Sequence, residues 1–153
     1  MNKPARPLLI YPLCVLHAFL GFSAICGGLL LINEPDGASL GMNTSLLANS
    51  PFSDFLLPGI MLAVFLGLLP SAAFLLLIKK LEPRYLSVLN IYASMRVPWA
   101  FSIYTGLVCL IWIIVQQTMI GYFWIQSIIG GIGLLILVCT LAPAVMDHFR
   151  KPG

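Results

Sequence analysis

An all-α membrane protein, with four transmembrane helices packed as one bundle, is the fold class this sequence predicts. Three observations carry that expectation. Of the 153 residues 60% are hydrophobic and only 8% charged, and the mean hydropathy is +1.02, well outside the range of soluble domains. Four apolar segments, residues 8–32, 58–78, 99–120 and 125–146, each reach the roughly 20 residues that a helix needs to cross a hydrocarbon core. The charges are also sorted by side. Lys3 and Arg6 precede the first segment, Lys79, Lys80, Arg84 and Arg96 lie between the second and third, and Arg150 and Lys151 follow the fourth. All eight basic residues therefore fall on one face, and Glu34, Asp36 and Asp54 fall on the other. Because Lys and Arg are retained on the cytoplasmic side, both termini are expected there. Spans and connections use nearly the whole of residues 1–153, so a single domain is predicted.

The first span opens like a signal peptide, with Lys3 and Arg6 before an apolar run. Cleavage after Ala24 would set bulky Phe22 where a small residue is needed, and the run is long for such a peptide. An uncleaved anchor is the expectation. His17, about nine residues into this span, is the one acid/base side chain at depth, and intramembrane ionisable groups usually face a bundle interior or cavity. Cys14 and Gly21 share its helix face, and Cys109 and Cys139 fall at similar depth. His17, Cys14, Thr105 and Cys109 form the candidate intramembrane pocket. No pair has the local spacing of a metal site, so neither a metal nor a cofactor is predicted. A neutral His17 bonded to Thr105, Ser71 or a backbone carbonyl is the plain expectation, against a proton, quinone, metal or haem role. No disulfide is expected.

The outer loop, residues 33–57, is patterned. "EPDG" at Glu34 to Gly37 sets Pro and Asp-Gly for a chain reversal, and "NSPFSDF" reads as a short helix capped by Ser50, with Pro51 at its first position and Asp54 near its positive end. Pro58 is expected to end that helix. Glu34, Asp36 and Asp54 with Gln116, Gln117 and Gln126 make a candidate outer vestibule, the alternative being ordinary polar residues at helix ends. Pro70 should kink the second span and free the Leu66 carbonyl.

The connector, residues 79–98, places Leu86, Leu89, Tyr92 and Ala93 opposite Arg84, Ser87, Asn90 and Ser94. That predicts an amphipathic helix on the inner headgroup layer, with Arg84 and Arg96 near anionic lipid. Trp99 suits the aromatic belt. Small residues at Ser23, Gly27, Ala24 and Gly28, and at Ser127, Gly130, Gly131 and Gly133, predict close packing of the first helix on the fourth, or a homodimer through one of these faces. His148 is expected to be a solvated tail residue.

Three stretches carry a resemblance: "AICGGLLLINEPDGASLGM" from Ala24 to Met42, "SPFSDFLLPGIMLAVFLG" from Ser50 to Gly67, and "WIIVQQTMIGYFWIQSIIGGIG" from Trp112 to Gly133. With these the chain resembles a set of small bacterial four-span membrane proteins, the Gly-Gly, Pro-Asp-Gly, Leu-Gly-Met and Ser-Pro-Phe elements being most specific. The resemblance implies a bacterial inner-membrane location and an ordered outer loop. It implies no activity, catalytic residue or cofactor.

No G-x-S-x-G elbow, P-loop, Rossmann glycine pattern or H-E-x-x-H is present. The sequence pI of about 8.8 is accounted for by sidedness, so no nucleic-acid partner is implied; membrane lipids, with anionic headgroups at the basic face, are the expected partners, together with a second copy or another membrane protein. The function expected is therefore non-catalytic, a small bundle that binds a protein partner, a lipid or an apolar ligand. The alternative is a dimeric small-molecule carrier or membrane redox component using His17 and Gln116.

Overall fold

A computed structural model describes residues 6–79 and 81–152; Lys3 and Lys80, counted above for sidedness, lie outside them. Among the described residues, four helices are long and apolar enough to cross a membrane: α1 (Ile10–Asn33), α2 (Leu56–Lys79), α3 (Val97–Ile120) and α4 (Trp124–Leu141). A short α5 (Pro143–Phe149) follows. The fold is an all-α membrane bundle. Helix α1 lies along the length of α2, α3 lies along α4, α1 also meets α4, and the basic half of α2 closes on α3.

Close helix approach decides these pairings, because lipid tails are as apolar as leucine and give no hydrophobic drive between helices. A Cβ on Gly28 would sit 2.7 Å from the Gly59 carbonyl oxygen and 2.8 Å from Ala63 Cβ; one on Gly67 would sit 2.7 Å from Ile25. On the other hairpin, a Cβ on Gly133 would sit 2.9 Å from Cys109 Sγ. The expected packing of α1 on α4 through their small faces is thus corrected. Each glycine face turns to its sequence neighbour, α1 to α2 and α4 to α3, and Gly131 meets nothing within 4 Å.

Pro70 acts on winding. Residues Leu62–Leu68 adopt a π-helix immediately before it, with the Leu69 N–H reaching back five residues to the Val64 carbonyl. A wider turn accommodates the missing proline N–H, and the Ser71 hydroxyl donates to the Gly67 carbonyl at 2.8 Å. Pro143 has a larger effect. It holds Ala142 at ψ 133°, the extended conformation favoured before proline, so α4 stops at Leu141 where apolar continuity alone predicted residue 146.

The outer loop also departs from expectation. Its helical turns fall at Ala38–Leu40 and Thr44–Leu47, and residues 50–55 form bends without a helix. Ser50 Oγ accepts from the Phe52 N–H at 3.2 Å, and Asp54 Oδ1 from the Leu56 N–H at 3.0 Å. Asp54 therefore caps α2 itself, and Pro58 lies in the first turn of α2, where its lack of an N–H costs nothing. The loop is clasped to the helix by Phe55 N–H to the Pro35 carbonyl, 2.8 Å, over Gly37 at φ 86°. A side chain on Gly37 would collide with the Phe55 ring.

The connector forms one helical turn, Arg84–Ser87, and the long amphipathic helix does not form. Asn90 explains the interruption: its Oδ1 accepts from the Tyr92 N–H at 3.0 Å and its Nδ2 donates to the Met95 carbonyl at 2.8 Å, a local alternative to helical bonding. Residues beyond it pair with the tail, Arg96 N–H to the Phe149 carbonyl and Lys151 N–H to the Ser94 carbonyl, both 2.9 Å. His148 is consequently no free tail residue: it lies in α5, half-buried, its ring edge-on to Phe149 at 5.0 Å.

Candidate functional site

Two places gather the side chains that could do chemistry or hold a ligand. In the basic half of the bundle, His17, Ser102, Thr105 and Thr140 are buried together with Cys14 and Cys109. His17 Nδ1 stands 2.7 Å from the Leu13 carbonyl oxygen one turn back, and Nε2 stands 3.2 Å from Ser102 Oγ. A carbonyl only accepts, so Nδ1 carries hydrogen and, in the neutral ring, Nε2 accepts the Ser102 proton. Ser102 Oγ is also 2.8 Å from Thr140 Oγ1, whose hydroxyl reaches the Ile136 carbonyl at 2.6 Å. Trp99 Nε1 donates to the Thr140 carbonyl at 2.9 Å, satisfying an oxygen left over where α4 ends before Pro143. The chain of polar contacts runs α1–α3–α4 across the bundle.

Of the predicted intramembrane set, the structure brings His17 into this network by way of Ser102. Thr105 gives its hydroxyl to the Phe101 carbonyl at 2.9 Å, Ser71 bonds within α2, and Cys109 Sγ lies 3.4 Å from the Ile129 carbonyl. Thr105 and Ser71 are thus satisfied within their own helices, and Cys109 faces α4. Among the described residues no group of three or more His, Cys, Asp or Glu side chains is placed to hold a metal. Ser102 and Thr140 were missed by sequence reasoning, which weighted ionisable residues; an inventory of every hydroxyl at the depth of His17 would have found both.

The second place is a cavity of about 100 Å³ at the acidic end, between α2 and α3 and beneath the outer loop. Leu31 of α1 forms its back, Met61 and Leu62 of α2 one side, Trp112 and Met119 of α3 the other, and Phe52 and Phe55 the roof. Gln116 is its one polar side chain. Of the residues predicted for a polar vestibule, Gln116 alone lines this cavity. Ser39 bonds Glu34, the Ala38 N–H bonds Asp36 at 3.0 Å, and Asp54 caps α2. Gln126 is buried at the start of α4, accepting from the Phe123 N–H at 2.9 Å and donating to the Gly121 carbonyl at 3.2 Å. Gln117 is exposed. His17 and the cavity are well separated, since the fourteen residues of α1 from His17 to Leu31 rise about 21 Å.

No protein-family model matches the chain, and no curated protein and no solved structure matches it significantly.

Proposed function

We propose that this chain is a non-catalytic, multi-pass protein of the bacterial inner membrane, its basic face and both termini cytoplasmic, that binds an apolar ligand beneath its outer loop. The observation that carries this reading is the cavity of about 100 Å³ with a single amide, Gln116, among apolar walls. Apolar walls favour an apolar guest over water, and one amide fixes orientation without supplying an acid, base or nucleophile. The His17 network supports the same reading: its donors and acceptors are spent on contacts within and between helices, consistent with a structural role. The size of the cavity suits a small apolar molecule or the end of a longer hydrocarbon chain.

The test is native mass spectrometry of protein released from nanodiscs, comparing wild type with Met119→Trp, which fills the cavity from α3. Wild type is expected to retain a discrete apolar adduct that the variant loses while keeping its thermal unfolding temperature. A chain that emerges bare in both, under conditions that preserve annular lipid, would remove the basis of the proposal.

A further inference from the structure

The segment 81–91, between α2 and α3, combines two properties that are costly in water and useful at a membrane surface. Tyr85, Val88 and Ile91 are 75%, 84% and 77% exposed, although they stand outside the spanning helices. Such apolar projection on an ordered segment marks an interaction surface. Much of the backbone beneath them is already bonded within the protein. The Leu86, Leu89 and Asn90 N–H groups bond to Pro83, Leu86 and Ser87 carbonyls at 3.0–3.1 Å. The Tyr104 hydroxyl, from α3, then accepts from the Ile91 N–H at 3.2 Å and donates to the Leu89 carbonyl at 2.8 Å. Asn90 takes the Tyr92 N–H and the Met95 carbonyl. A segment whose polar backbone groups are paired internally can enter a poorly hydrated layer without the penalty of stripping them of water.

Charge completes the match. Arg6, Lys79, Arg84, Arg96, Arg150 and Lys151 lie at this end against Glu82 and Asp147. Glu82 and Asp147 are each met by an arginine, Arg96 at 3.4 Å and Arg150 at 3.5 Å. Lys79 and Arg84 are exposed at the same end of the bundle. We propose that the 81–91 segment is an interfacial anchor, inserting Tyr85, Val88 and Ile91 into the bilayer and setting Arg84 and Lys79 against anionic lipid headgroups. This role, which the sequence assigned to a long surface helix, belongs instead to a rigid loop clasped by Tyr104 and Asn90. It stands independently of the ligand cavity at the opposite end.

The test places a reporter at the most exposed position. Val88→Trp protein and its parent are reconstituted in vesicles of phosphatidylcholine mixed with phosphatidylglycerol, and the added emission is taken as the difference. Lipid brominated near the headgroup end of the chain is expected to quench most of that emission, and aqueous acrylamide little of it. Brominated phosphatidylglycerol should quench more strongly than brominated phosphatidylcholine at equal mole fraction. Arg84→Gln and Lys79→Gln should each reduce that preference about fivefold. Added emission open to acrylamide and untouched by bromolipid would overturn the proposal, leaving this face for a soluble partner. Emission shielded from both quenchers would overturn it in favour of a second protein covering the surface. Equal quenching by the two lipids, unchanged by the charge variants, would refute the assignment to anionic headgroups. Ile91→Trp repeats each reading at a second exposed position.

Discussion

Ser102 shows how much a single hydroxyl can organise. Its oxygen lies 3.2 Å from His17 and 2.8 Å from Thr140, so it joins three spans at a fully buried position. With His17 neutral, the Ser102 and Thr140 hydroxyls supply two protons for three contacts, and the bonds share them. Ser102→Ala leaves the His17 Nε2 without a donor and is expected to cost about 1–3 kcal/mol, the penalty of an unsatisfied buried group. Chemical denaturation in a fixed detergent would measure it. The double variant His17→Leu with Ser102→Ala is expected to be less damaging than the sum of the singles, because it removes both members of the bond; strict additivity would show that the two side chains do not interact. His17 was legible in the sequence as the one acid/base side chain deep in an apolar span. Its partner was not, since one serine among several becomes special only when the helices are brought together.

Helix faces tell the same story with more residues. Small side chains spaced four apart announce that a backbone will come close, and Gly28 bears that out, an added Cβ standing 2.7 Å from the Gly59 carbonyl oxygen, whereas at Gly133 the close neighbour is the Cys109 side chain at 2.9 Å. Spacing along one helix carries nothing about which neighbour approaches, so the expected α1–α4 contact was assigned to the wrong partners. Gly28→Ala would drive a Cβ into the Gly59 carbonyl, a backbone atom that cannot step aside, and is expected to destabilise by about 1–3 kcal/mol. Gly131→Ala faces open space and is expected to be neutral or slightly stabilising through helix propensity. Unfolding midpoints of the two variants side by side would check the contrast. The connector failed for a different reason: its period-3.6 pattern is real, but Asn90 and Tyr104 offer the backbone better bonds than a helix would. Pro143 was visible in the sequence and outweighed by the hydropathy around it.

For the molecule as a whole, four spans follow from composition and length alone, and an even number puts the two chain ends on one side. The clustering of Arg6, Lys79, Arg84, Arg96, Arg150 and Lys151 at one end and of Glu34, Asp36 and Asp54 at the other then sets the expected orientation. A cysteine introduced at exposed Ser45 should react with a membrane-impermeant maleimide on intact cells, and one at Lys151 only after permeabilisation, both in a Cys26→Ala background. The reverse pattern would invert the topology. The cavity was the least legible feature, because its walls come from three helices and a loop, and apolar lining residues look in sequence like any others.

The early stop of α4 has a consequence for the surrounding bilayer. Its 18 residues span about 27 Å, whereas the 24 residues of α1 and of α3 reach about 36 Å, so the hydrocarbon is expected to be thinner beside α4 than beside those two helices. Each ångström of such mismatch costs a fraction of a kcal/mol. Two copies meeting along their α4 flanks would share one pinched patch of membrane where apart they would maintain two. Self-association measured by energy transfer between labelled copies is therefore expected to strengthen as the lipid chains are lengthened, with membrane thickness itself acting as the attraction.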